Sequence, residues 1–163
     1  MPSQSTPSGL ENRRVAFVQS SWHESLVERC RISFVHELSE LGIPEHRVEV
    51  FRVPGAFEIP LLAKRAMRSG HYDAVVAAAL VIDGGIYRHE FVAETVLGAL
   101  MRAQMESDVP LISSVLTPHH FHEHETHVDF FSEHLSEKGA EAARACVGAL
   151  AALDELAAAV AAY

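Results

Sequence analysis

The chain has 163 residues, 48% of them hydrophobic and 21% charged. That is enough apolar side chain for one globular domain with a buried core, and it excludes a disordered or collagen-like chain. Lys and Arg number 13 against 22 Asp and Glu, a net charge of -9. This argues against a binder of nucleic-acid backbones, whose affinity rests on clustered cations, but allows a small anion in a local pocket.

Met1–Asn12 has neither the basic nor the apolar region of a signal peptide and reads as a flexible polar N-terminal tail, leaving residues 13–163 as one domain. Arg14–Gln19 (RVAFVQ) is a short valine-rich run and predicts a buried strand. Ser25 follows as an N-cap or first-turn residue. Leu26, Cys30, Phe34, Leu38 and Leu41 then make one apolar helical stripe, which Gly42 ends.

Arg47–Val53 (RVEVFRV) predicts a second strand. Pro60 suits the first turn of the helix after it, whose buried face is Ile59, Leu62, Ala63, Ala66 and Met67, with Gly70 as the stop. Asp73–Ile82 (DAVVAAALVI) is almost wholly apolar, as central strands covered on both faces are. After Asp83-Gly84-Gly85 a helix is expected from about His89 to Met105. Pro110–Leu116 is a fourth strand, followed by a histidine-rich helix over Phe121–Ser136. Gly139 separates this from a final alanine-rich helix, Ala140–Ala162.

Strands alternating with helices predict an α/β fold: a flavodoxin-like three-layer sandwich with a four-stranded parallel sheet and helices on both faces. Ligands bind such sheets beyond the carboxyl ends of the strands. That rule selects the loops Ser20–His23, Pro54–Glu58, Asp83–His89 and Thr117–His120.

Each loop carries residues that are odd for a plain connection. Trp22, the single tryptophan, is either a wall on which a heteroaromatic ring stacks or a side chain folded over a helix. In Pro54-Gly55-Ala56-Phe57-Glu58-Ile59-Pro60, Gly55 lets a ligand approach the backbone and Glu58 can accept bonds from sugar-type hydroxyls; the plainer reading is a helix entry with an acidic first turn. Gly84 and Gly85 before a helix make an anion cradle. Arg88 can fork onto a phosphate, and His89 can move a proton; the alternative is a glycine turn with an exposed Arg–Glu pair. His119, His120, His122, His124 and His127 crowd nine residues but match no closed four-ligand metal pattern. No metal is therefore assigned, and a solvated histidine face, or one histidine serving a phosphate, is the preferred reading.

Together these residues resemble one family. Val53–Pro60 (VPGAFEIP), Tyr72–Val76 (YDAVV), Val81–Gly84 (VIDG) and Lys138-Gly139 with its following alanines are similar to 6,7-dimethyl-8-ribityllumazine synthase, an enzyme of riboflavin biosynthesis. The likeness runs from about Val15 to the last helix. It implies a cytoplasmic transferase without cofactor or metal. Its substrates would be 5-amino-6-(D-ribitylamino)uracil and 3,4-dihydroxy-2-butanone 4-phosphate, and its products 6,7-dimethyl-8-ribityllumazine, phosphate and water. The pocket would lie between subunits of a pentamer.

Carried over by position, the resemblance makes Trp22 the wall against the pyrimidine, and Ala56, Phe57 and Glu58 the ribityl contacts. Leu80, Val81 and Ile82 would hold the pyrimidine through backbone groups, and Gly85 and Ile86 the butanone phosphate. Ser113 stands where the family often has a phenylalanine reaching a neighbour's pocket. Two positions depart from the pattern. Arg88 replaces the usual proton-donating histidine, with His89 beside it, and His127 replaces the phosphate-binding arginine. Arginine does not titrate near neutrality.

The run His119-His120-Phe121-His122-Glu123 is similar to the paralogous type II branch, a decamer of two face-to-face pentamers and a poor catalyst. Low activity is therefore expected. Juxtaposing two substrates can by itself supply about 7–11 kcal/mol of a barrier. Two other classes stay open: a decameric riboflavin- or lumazine-binding protein with little catalysis, and a structural assembly. Neither nucleic acid nor membrane is an expected partner.

Overall fold

The computed structural model describes residues 9–82, 88–118 and 125–163, with the side chains of 125–128 excepted. Four parallel strands form one sheet in the order β2-β1-β3-β4. They are β1 (Val15–Ser20), β2 (Val48–Val53), β3 (Ala74–Leu80) and β4 (Leu111–Leu116). Between and after them run α1 (Glu24–Glu40), α2 (Ile59–Arg68), α3 (His89–Ser107) and α4 (Glu125–Ala161). The flavodoxin-like α/β arrangement expected from the alternation is present.

Period-two alternation sorts the strand residues onto two cores. Val15, Phe17, Val76, Ala78 and Leu80 face α1 and α4, packing with Leu26, Cys30, Phe34, Leu135 and Cys146. Ala16, Val18, Val75, Ala77, Ala79 and Val81 face α2 and α3, packing with Ile59, Ala63, Val96 and Leu100. β1 and β3 are buried along their whole length, which is why β3 and the first four residues of β1 read as apolar runs. In-register pairs such as Gln19↔Arg52, Gln19↔Ala78 and Leu80↔Leu116 bring the strand ends to one level. The loops that follow share one rim.

Two local features differ from expectation. Leu10–Asn12 form a 3-10 turn and Leu10 is buried in the core, within the stretch read as a tail. Ser25 falls in the first turn of α1, as expected, behind His23, which heads the helix in the left-handed region at φ 54°. Gly139 does not separate two helices. The chain from Glu125 to Ala161 is one helix, because Gly139 is the point where α4 presses on α1: a β-carbon there would stand 2.2 Å from the Cys30 carbonyl oxygen. Its lack of a side chain serves close packing rather than helix termination. Among the described residues no helix is long and apolar enough to cross a membrane.

Candidate active site

All four loops selected by the strand-end rule are described in whole or part, and two of them touch. Ser21 N donates to the Val53 carbonyl at 2.8 Å, fastening the β1–α1 loop to the end of β2. Trp22 follows and is 68% exposed. Its indole lies along Gly55, where a β-carbon would meet Trp22 Cε2 at 3.6 Å. The same β-carbon would stand 3.2 Å from Glu58 Oε2. Gly55 is extended at φ -141°, so glycine is used for the close approach and not for its dihedral freedom.

Glu58 first caps its own helix entry. Its Oε2 accepts from Gly55 N at 2.9 Å, and its backbone N donates to the Gly55 carbonyl at 3.3 Å. This reciprocal clasp satisfies donors at the head of the helix. It leaves Oε1 as the oxygen that can reach a ligand hydroxyl. Ala56 is buried beneath, while Phe57 stands out beside the mouth.

Leu80 and Val81 close β3, both buried, and Ile82 is half-buried. Val81 N donates to the Leu116 carbonyl at 2.8 Å, so Val81 has its carbonyl to offer a ligand and not its N–H. Behind Leu80, on the α4 side of the sheet, lies a cavity of about 160 Å³ bounded by Leu116, Thr117, Pro118, Phe131 and His134. A larger hollow of about 310 Å³ flanks α1 between Arg31 and Glu45 and has no part in the strand-end rim.

Arg88 and His89 point apart. The buried residues of α3 are Ala93, Val96, Leu100 and Ala103, and His89 continues that stripe one turn earlier. The His89 side chain is 19% exposed and that of Arg88 is 71%. Arg88 leans over the Phe91 ring, with Cζ 5.1 Å from its centroid, and pairs with Glu90 at 3.4 Å. His89 Nδ1 stands 3.5 Å from Glu90 Oε2 without a hydrogen bond, and is buried with no partner among the described residues. The inward imidazole and the outward guanidinium therefore divide two tasks: one can hold a proton at the strand ends, the other can meet an anion from solvent.

Ser113 is not at this rim. It is exposed on β4, an edge strand, in register with Ala77 and three residues before Leu116, about 10 Å down the strand. Its Oγ accepts from Val115 N at 3.4 Å. His127 lies in the first turn of α4, its side chain outside the described residues. Gly85, Ile86 and the histidine run 119–124 also lie outside them.

The comparisons with known proteins identify the family. The family model 6,7-dimethyl-8-ribityllumazine synthase matches residues 12–154. The chain belongs to the 6,7-dimethyl-8-ribityllumazine synthase family. It is 54% identical over 149 residues to a protein of that name from Rhodococcus erythropolis, covering 91% of this chain and 96% of the relative. Proteins named 6,7-dimethyl-8-ribityllumazine synthase 2 are similar too. That of Pseudomonas syringae is 53% identical over 85% of this chain and 82% of its own. That of Bradyrhizobium diazoefficiens is 50% identical over 95% and 93%.

Reading residues singly missed what holds this lumazine synthase loop in place. Gln19 Nε2 donates to Glu28 Oε2 at 3.2 Å, and Arg52 reaches both Glu24 and Glu28 at 3.4 Å. A glutamine directly after the apolar run Val15–Val18 was the available signal.

Proposed function

We propose that this chain is a lumazine synthase that condenses 5-amino-6-(D-ribitylamino)uracil with 3,4-dihydroxy-2-butanone 4-phosphate, releasing phosphate and water. The observation that carries the reading is Trp22, exposed at the strand ends with its indole along Gly55. A large aromatic left uncovered at a ligand crevice is a stacking wall for a flat heteroaromatic ring.

The pyrimidine stacks on Trp22, donates a hydrogen bond to the Val81 carbonyl and bonds the Ile82 backbone. The ribityl chain runs past Ala56 and Phe57 to Glu58 Oε1. The butanone phosphate meets the backbone N–H groups of Gly85 and Ile86, with Arg88 and His127 as cationic partners. The uracil amine attacks the butanone carbonyl to give an imine and water. Phosphate then leaves, and ring closure with loss of a second water gives the lumazine. Arg88 stabilises the departing phosphate, and His89 accepts and returns protons. Turnover is low, because an arginine stands where the family usually has its proton-donating histidine.

The chain works as a homo-oligomer in the cytoplasm. Exposed Phe91, Leu97, Met101 and Met105 on α3 and Leu61 on α2 form apolar surface that a monomer rarely leaves open. A pentamer covers it and brings Ser113 of the β4 edge to a neighbour's pocket; two pentamers face to face make a decamer. A second reading, riboflavin or lumazine binding with little catalysis, is favoured by the outward turn of Arg88.

The test compares Arg88→Ala and His89→Ala in lumazine formation across pH 6 to 9. The reading predicts that Arg88→Ala raises KM for the butanone phosphate and lowers kcat, while His89→Ala lowers kcat and flattens the pH profile. Unchanged rates in both variants overturn these roles.

A further inference from the structure

We infer that Gln19 and Glu28 are positioning residues for Trp22, setting the angle of the wall against which the proposed heteroaromatic substrate stacks. This rests on the function proposed for the Trp22 crevice.

Gln19 is fully buried, three residues before Trp22 on the last turn of the β1 pleat. A polar side chain is costly there unless bonded. Its Nε2 donates to Glu28 Oε2 at 3.2 Å. In-register pairing puts Arg52 of β2 beside Gln19, and its Nη2 reaches the same Glu28 oxygen at 3.4 Å. The other Glu28 oxygen accepts from Arg31 Nε at 2.8 Å. Arg52 Nε also contacts Glu24, two residues beyond Trp22, at 3.4 Å.

The Ser21–His23 segment is thus tied on both sides to one half-buried carboxylate. Gln19 holds it from the strand, and Glu24 through Arg52 from the helix. Trp22 packs on Gly55 along one edge and has 68% of its surface open, so packing alone does not fix its plane. Glu28 is held well ionised, its Arg31 bond pulling the carboxyl below the ordinary range against the opposing effect of burial. The tie therefore persists through the neutral range.

The test uses the full-length protein and its single tryptophan as reporter. Gln19→Met keeps length and removes the amide; Glu28→Gln keeps shape and removes the charge. Acrylamide quenching and anisotropy of Trp22 fluorescence are read first without ligand. Riboflavin is then titrated as the probe, and KM is measured for each substrate. Positioning predicts cooperative unfolding as in the parent and stronger acrylamide quenching. It also predicts an approximately tenfold weaker riboflavin Kd and pyrimidine KM, the loss expected for a bond to a charged group. The butanone phosphate KM and kcat stay unchanged, and the double variant is no worse than the worse single. Unchanged Trp22 quenching in both variants overturns the inference, as does a loss of all parameters together with cooperative unfolding. If the parent neither binds riboflavin nor forms lumazine, the proposed function fails, and Trp22 quenching and anisotropy still decide positioning.

Discussion

Gly139 of α4 lies against the Cys30 carbonyl of α1 so closely that any β-carbon would be 2.2 Å from that oxygen. The two helices cover one whole face of the sheet, and this contact sets how near they come. Gly148, on the same helix, has nothing within 4 Å of its β-carbon position.

The pair makes an internal comparison. Gly139→Ala forces α1 and α4 apart and is predicted to cost about 3 kcal/mol, at the upper end for overpacking a core. Gly148→Ala gains up to about 1 kcal/mol from helix propensity alone. Urea unfolding of the two variants beside the parent reads both signs.

Arg13 joins three elements at the amino end of the sheet. Its Nη1 donates to Asp73 Oδ1 at 3.1 Å, and its Nη2 to both carboxylate oxygens of Asp154 at 2.6 Å. Asp154 is the last anchored residue of α4 before Leu156 and Val160, which are exposed. Asp154→Ala is expected to cost about 0.5–1 kcal/mol, the pair being partly solvent-screened, and to free the end of the helix. Amide exchange should quicken after residue 154 and stay unchanged around Gly139.

The carboxyl of Glu28 is held below its ordinary value of 4.5, chiefly by its bond to Arg31. A depressed folded-state pKa contributes stability above the unfolded value, and that contribution is lost as pH falls through the folded one. The parent should therefore exceed Glu28→Gln in stability at pH 7, with the gap closing below about pH 4.5. Thermal melts from pH 7 to 3 check the sign; a gap that widens in acid contradicts it.

Trp22 is mostly exposed and caps no core residue. Trp22→Ala should change stability by less than about 0.5 kcal/mol, as surface substitutions do. Riboflavin or lumazine affinity should fall by about 1–3 kcal/mol, the worth of a base–aromatic stack. Calorimetric titration alongside a melt separates the two effects.

Much of the fold was legible because β3 and most of β1 are apolar and each helix carries one stripe. The strand ends, and hence the crevice, followed from the alternation of strands and helices. Gly139 was misread because a glycine in a helical pattern signals termination locally, while close packing of two helices is a tertiary matter. His89 was readable as inward, since 89, 93, 96, 100 and 103 keep helical spacing, but that stripe was not extended back to it. The outward turn of Arg88 over Phe91 depends on local side-chain contacts that spacing does not carry. Likewise Gln19 was visible only as a polar residue in an apolar run; its partner Glu28 comes from the next element.

The most direct test of the central claim is steady-state lumazine formation from both substrates, followed by absorbance with the uncatalysed rate subtracted. A rate above background in the parent, falling at subsaturating pyrimidine in a folded Trp22→Ala variant, is the predicted result. A parent rate equal to background, with folding intact and riboflavin bound tightly, would contradict it and leave the crevice as a binding site alone.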